Sequence, residues 1–141
     1  DKYAELYIAL PHNWPIKEKQ LEKFGEDAYW PIRWLKILAR LPYEHQTYLG
    51  HGHTIPNGDP AQPLSPRCKF TGFLILESPI EQLREIKVGK RKVAMLFLHP
   101  LYPEEMQLKL DEGVDALLDR FEVSGLRMPE AADPKRKNVA K

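Results

Sequence analysis

The stretch that most constrains the fold of this 141-residue chain is VAMLFL, Val93 to Leu98. Side chains alternate between the faces of a strand, so six apolar residues in a row make both faces apolar. Such a strand belongs inside a domain. It closes the segment REIKVGKRKVAMLFLHPLY, which reads as a hairpin turning around Gly89. A second strand is CKFTGFLILE, where Gly72 marks a bulge or a close approach. A third is ELYIAL, with Leu6, Ile8 and Leu10 on one face, Glu5, Tyr7 and Ala9 on the other, and Pro11 ending it. None of the apolar runs is long enough to span a bilayer.

The helical segments follow a different period. In YWPIRWLKILARLP, Trp34, Ile37, Leu38 and Leu41 form a core stripe, with Arg33, Lys36 and Arg40 on another face. Pro31 is placed in the first turn, and Pro42 sets the end. PEEMQLKLDEGVDALLDRF predicts one helix from Pro103, with Glu104 and Glu105 at the positive end of its dipole. Met106, Leu110, Leu117, Leu118 and Phe121 line its buried side, with Val114 beside them, and Asp111, Asp115 and Asp119 repeat along the opposite side. IKEKQLEKFG is a short polar helix closed by Gly25. The order strand, helix, helix, strand, strand, hairpin, helix predicts an α+β domain. Its sheet is mixed and largely antiparallel, with helices packed against it. The domain is placed at residues 1–125, followed by a polar, basic tail at 126–141 that is expected to fray. The strand-like run AELYIAL begins almost at once, and a strand needs partners, so native sequence upstream of Asp1 is expected to be absent.

Composition narrows the function. The formal net charge is +1, so no strong field draws nucleic acid or an anionic membrane. The single cysteine, Cys68, excludes an internal disulfide and a cysteine zinc cluster, and makes the cytosol the default compartment. The loop stretch TYLGHGHTIPNGDP carries the most suggestive side chains. Its first part reads as a strand or extended edge, which would set His51 and His53 on one face as chelation requires. Glu77 and His99 could then complete a cupin-like ligand set. The carboxylate such sites place shortly after the histidine pair is missing, and His99 precedes Pro100 and so sits at a strand exit. No metal or cofactor is therefore assigned. The alternative is structural, one histidine donating to loop backbone and the other exposed. Cys68 and Ser65 lack a nucleophile elbow, and GHGHTIPNG is neither a dinucleotide fingerprint nor a P-loop. Protein binding is the reading that the residues leave in front.

Five motifs together resemble the suppressor of fused family: AELYIALPHNWP, YWPIRWLKILARLPYE, TYLGHGHTIPNGDP, FTGFLILES and HPLYPEEMQLKLDEGVDALLDRF. They run in the family's order and cover nearly all of the chain from Ala4 to Phe121. The resemblance is to its compact bacterial members. It implies a mixed sheet with helices against it, further strands before ELYIALP, and no enzymatic activity. Animal relatives grip a peptide of a transcription factor, and bacterial relatives act as immunity proteins against polymorphic toxins. The expected partner is thus a protein, a cognate toxin, occluded by this domain. The expected contact residues are His51, His53, Asn57 and Asp59 of the loop and Asp111, Asp115 and Asp119 of the acidic stripe. A metal- or small-molecule-dependent enzyme using the loop histidines, and a peptide-binding regulator, are the alternatives.

Overall fold

The computed structural model describes residues 3–45 and 48–141, excepting the side chain of His45. Thr47, which opens the histidine-bearing stretch, and Asp1 lie outside the described residues. The elements run β1 (Tyr3–Tyr7), α1 (Glu18–Phe24), α2 (Glu26–His45), β2 (Thr54–Pro56), β3 (Gly72–Glu77), β4 (Glu85–Val88), β5 (Arg91–Leu101), α3 (Pro103–Glu112) and α4 (Val114–Val123), with one 3-10 turn at Glu81–Leu83.

The doubly apolar run lies at the centre of β5, which pairs with β1, β3 and β4. Only β1 is parallel to β5, and the other pairs are antiparallel, so the sheet is mixed. Leu96 and Leu98 of β5 join Phe73 and Ile75 of β3 beneath Trp30, Trp34 and Leu38 of α2. Phe97 and Leu101 join Leu74 and Leu76 against Met106, Leu117 and Phe121 of α3 and α4. The period of two thus divides the core into halves, and helices cover both faces. Leu6, Ile8 and Leu10 join the first half and Tyr7 and Ala9 the second, as their alternation predicts.

Several elements differ from the expectation. Helix α2 starts before Pro31 and continues past Pro42 to His45. Each proline removes one intrahelical hydrogen bond, and burial of the tryptophan row outweighs that loss. That row is Trp30, Trp34 and Leu38, spaced by four; Ile37 stands one residue, about 100°, off it and is 39% exposed. The acidic helix is two helices, because Gly113 adopts φ 94° and ψ 168° between them. Only glycine takes this conformation without strain. Asp111 therefore lies on α3, while Asp115 and Asp119 lie on α4, and the stripe is not continuous. Leu110, expected in the core, is 66% exposed.

The C-terminal segment does not fray. Ala132, Arg136 and Val139 are buried. Arg136 pairs with Glu105 through two bonds, Nη1 to Oε2 at 2.7 Å and Nη2 to Oε1 at 2.6 Å. The guanidinium carbon lies 4.9 to 5.2 Å from the rings of Phe70, Tyr102 and Phe121. Arg136 also donates to the carbonyl of Pro100 at 2.8 Å, on β5 beyond the end of its pairing with β1. Polar residues in sequence thus become an internal anchor once a buried carboxylate and three aromatic faces surround them.

His99 is likewise no strand-exit residue. It sits within β5, fully buried, 4.9 Å from the Phe121 ring, with neither ring nitrogen partnered among the described residues. Burial first, and the charge of Arg136 second, hold its protonation well below the ordinary value of 6.5. The folded state keeps this imidazole neutral, whereas the unfolded chain takes up a proton below pH 6.5. This contribution to stability is complete above pH 6.5 and is lost as the pH falls below it. Melting temperatures across pH 7.5 to 5 (about that window) should fall less steeply for His99→Leu than for the wild type. Parallel curves would show that His99 does not titrate between the two states.

Candidate protein-binding surface

A trough of about 620 Å³ opens between the C-terminal half of α2 and the β1–β5 part of the sheet. Its origin lies in small residues. Ala4 and Ala94 are register partners across β1 and β5, and Ala39 faces them from the helix. Leu38 also lines it, and among the described residues the alanines leave this part of the sheet uncovered. Leu6 and Leu96 form apolar floor, and Pro42, Tyr43, Tyr48 and Leu49 form the rim. Tyr43 is 88% exposed and Tyr48 73%. Rigid amphipathic rings beside an apolar hollow are the usual anchors of protein interfaces. Strand β1 pairs only with β5 among the described strands, and no described strand lies along its other edge.

The histidine loop extends this surface. Tyr48 lies 5.4 Å from the His53 ring, and both line a second hollow of about 340 Å³ with Leu41, Ile55 and Lys109. His53 accepts a hydrogen bond at Nδ1 from the Gly50 amide at 3.2 Å. His51 is exposed and accepts at Nδ1 from the Glu77 amide at 3.0 Å. Both histidines therefore accept from backbone, where the structural alternative had one donating. The strand begins only at Thr54, so strand alternation does not govern the pair. The amide of Gly52 donates to the Ile75 carbonyl at 2.7 Å, and a Cβ there would lie 3.5 Å from Val114. The loop thus packs against the start of α4. Asn57 works within the loop, donating through Nδ2 to the carbonyls of Gln62 and Pro63. Asp59 is exposed at its tip. Asp111 accepts from Gln107, and Asp115 and Asp119 are exposed and in no ion pair among the described residues.

The structure separates the groups that chemistry would need together. His99 faces α3 and α4, whereas Glu77, opposite Leu96, belongs to the other face, so a cupin-like set cannot assemble. Among the described residues no group of three or more histidine, cysteine, aspartate or glutamate side chains is placed to hold a metal ion. Cys68 is buried, and burial pushes its thiol up to about 11, which keeps it protonated. Ser65 donates to Asp27 at 2.8 Å rather than to a histidine. The basic face of α2 is partly neutralised: Arg33 pairs with Glu26, and Lys36 donates to the Tyr29 hydroxyl. No helix is long and apolar enough to cross a membrane among the described residues.

The trough had no sequence signal beyond three alanines in separate elements. The partnership of Glu105 and Arg136 had none at all, since the residues lie 31 apart in the chain.

A family model described as suppressor of fused protein matches residues 1–137. Three solved structures share the fold. One, described as the Sufu–Fu complex, is 17% identical with a TM-score of 0.68, over 95% of this chain and 56% of that one. Drosophila Suppressor of Fused is 17% identical with a TM-score of 0.62, over 79% of this chain and 25% of that one. A putative suppressor of fused homolog from Neisseria gonorrhoeae FA 1090 is 21% identical with a TM-score of 0.60, over 79% of this chain and 57% of that one. The chain spans between a quarter and somewhat over half the length of these structures. At these identities the likeness is one of fold. No curated protein matches the chain.

Proposed function

The chain belongs to the suppressor of fused family, and from that premise we propose that it is a non-catalytic protein-binding domain, a cytosolic immunity protein that occludes a cognate toxin. The single observation that carries protein binding is the uncovered trough with Tyr43 and Tyr48 standing at its rim. A toxin segment seated there would bury both rings and extend over the loop bearing His51, His53, Asn57 and Asp59. The exposed carboxylates of Asp111, Asp115 and Asp119 would favour encounter with a basic toxin. The toxin itself is suggested by the resemblance of the sequence motifs to compact bacterial members. A second reading, a regulator gripping an extended peptide, is favoured by the β1 edge with no described strand along it, which could accept a partner strand.

Co-expression with a toxin encoded by a neighbouring gene tests the first reading, and the lack of any such gene counts against it. Cells should survive with the wild type, and killing should return with Tyr43→Asp combined with Tyr48→Asp at an unchanged melting temperature. Death despite abundant, folded wild-type protein defeats the immunity reading. Full protection by the double variant would instead move the interface away from the trough.

A further inference from the structure

We propose that a second binding site, at the opposite end of α2 from the trough, takes an acidic peptide segment carrying an apolar anchor residue. Two hollows of about 610 and 470 Å³ adjoin there, sharing Arg67 and Pro134. The first is walled by Trp14, Phe24 and Trp30 with Pro11 and Pro15. The two tryptophans of this wall are fixed in place, whereas Phe24 is exposed at its edge. Trp14 donates its indole N–H to the Ala28 carbonyl at 2.9 Å and meets Trp30 edge-on at 5.8 Å. Fixed rings and prolines lose little freedom when an apolar side chain enters.

The second hollow is basic. Arg67, Lys69 and Lys141 line it beside the buried Arg136, and Lys135 stands at the first hollow. Asp27 and Asp133 line the first hollow and Glu104 the second; they keep their charge, so the excess of cations lies in the second hollow, where Arg67, Lys69 and Lys141 face Glu104 alone. Asp27 accepts from the Ser65 hydroxyl and the Arg67 amide, both at 2.8 Å. Asp133 accepts from the Lys135 amide at 2.9 Å, and Glu104 from Asn138 at 2.8 Å. Glu105 is matched by Arg136. Arg67, Lys69, Lys135 and Lys141 form no ion pair among the described residues.

An apolar hollow adjoined by unpaired cations matches an extended chain with an apolar residue at one end and acids at the other. Each extended residue advances about 3.3 Å, so a few residues pass from one hollow to the next. The site does not depend on the toxin reading.

The probe is a fluorescein-labelled hexapeptide, leucine and proline followed by alternating glutamate and aspartate, with a control in which lysine replaces every acid. The acidic peptide should bind and shift the Trp14 indole resonance. Arg67→Glu with Lys69→Glu should weaken it by about tenfold or more, and Phe24→Ser should also weaken it. These side chains are exposed, so melting temperatures should hold. Tyr43→Asp with Tyr48→Asp should leave the affinity unchanged, which separates this site from the trough. The proposal is overturned if the lysine peptide binds equally, or if the Trp14 signal is unmoved at about 1 mM acidic peptide. Loss of binding in the tyrosine variant overturns it too. Displacement of the peptide by ATP at lower concentration would make the ligand a nucleotide instead.

Discussion

Replacing Arg136 with alanine should destabilise the domain by about 3–5 kcal/mol, the range for breaking a buried ion pair from one side. Glu105 is fully buried, so its carboxylate would be left without its counter-charge. Both of its oxygens also hold backbone: Oε1 accepts from the Tyr102 amide and Oε2 from the Val139 amide. Glu105 thus ties the start of α3 to the end of the chain. Arg136 does the same in reverse, donating to the carbonyls of Pro100 and Lys137. Glu105→Gln should also destabilise strongly, because one oxygen that accepts from two N–H groups becomes an NH2 donor and the buried Arg136 charge is left unmatched. Combining Glu105→Leu with Arg136→Met removes both charges and should recover part of the loss. Recovery is incomplete, because the amides and carbonyls that the pair satisfies remain buried. Urea unfolding of the wild type and the three variants measures the series. An Arg136→Ala protein as stable as the wild type would return the last residues to the frayed tail that their composition suggests.

Gly72→Ala should cost about 3 kcal/mol, the upper end for overfilling a packed core. A Cβ at Gly72 would lie 2.5 Å from the Ile55 carbonyl oxygen and 2.7 Å from Met106 Sδ. The methionine can move, but the carbonyl belongs to β2, which is held to β3 through Ile55 opposite Phe73 and Pro56 opposite Gly72. The sheet must therefore open at that edge. Amide exchange should accelerate at Gly52 and Asn57, which bond to the carbonyls of Ile75 and Thr71. Adding Met106→Ala should relieve only part of the loss. A fully stable Gly72→Ala variant would place β2 farther from β3 than described.

Gly72 also shows what the sequence made legible. A glycine within an apolar strand signals a close approach, although not whose backbone approaches. Periodicity assigned Leu6, Ile8 and Leu10 to one half of the core and Tyr7 and Ala9 to the other, because that signal is local. The same local logic missed the break at Gly113. A single glycine inside a helical pattern is tolerated as readily as it is broken. It also missed His99 and Arg136, whose burial is decided by residues distant in sequence. Among the proposed contact residues, His53 and Asn57 prove to be bonded within their own loop, whereas Tyr43 and Tyr48 had drawn no attention. The trough beside them follows from three alanines brought together only by the register of β1 on β5 and the docking of α2.

The most direct test of the trough as a binding surface is amide hydrogen exchange on the purified protein, alone and in complex with the proposed toxin partner. Protection should concentrate on β1, on the C-terminal half of α2 around Leu38 to Tyr43, and on Tyr48 to His53. Unchanged exchange in those segments, with protection confined to α4 or to the 3-10 turn, would contradict the trough as the binding surface.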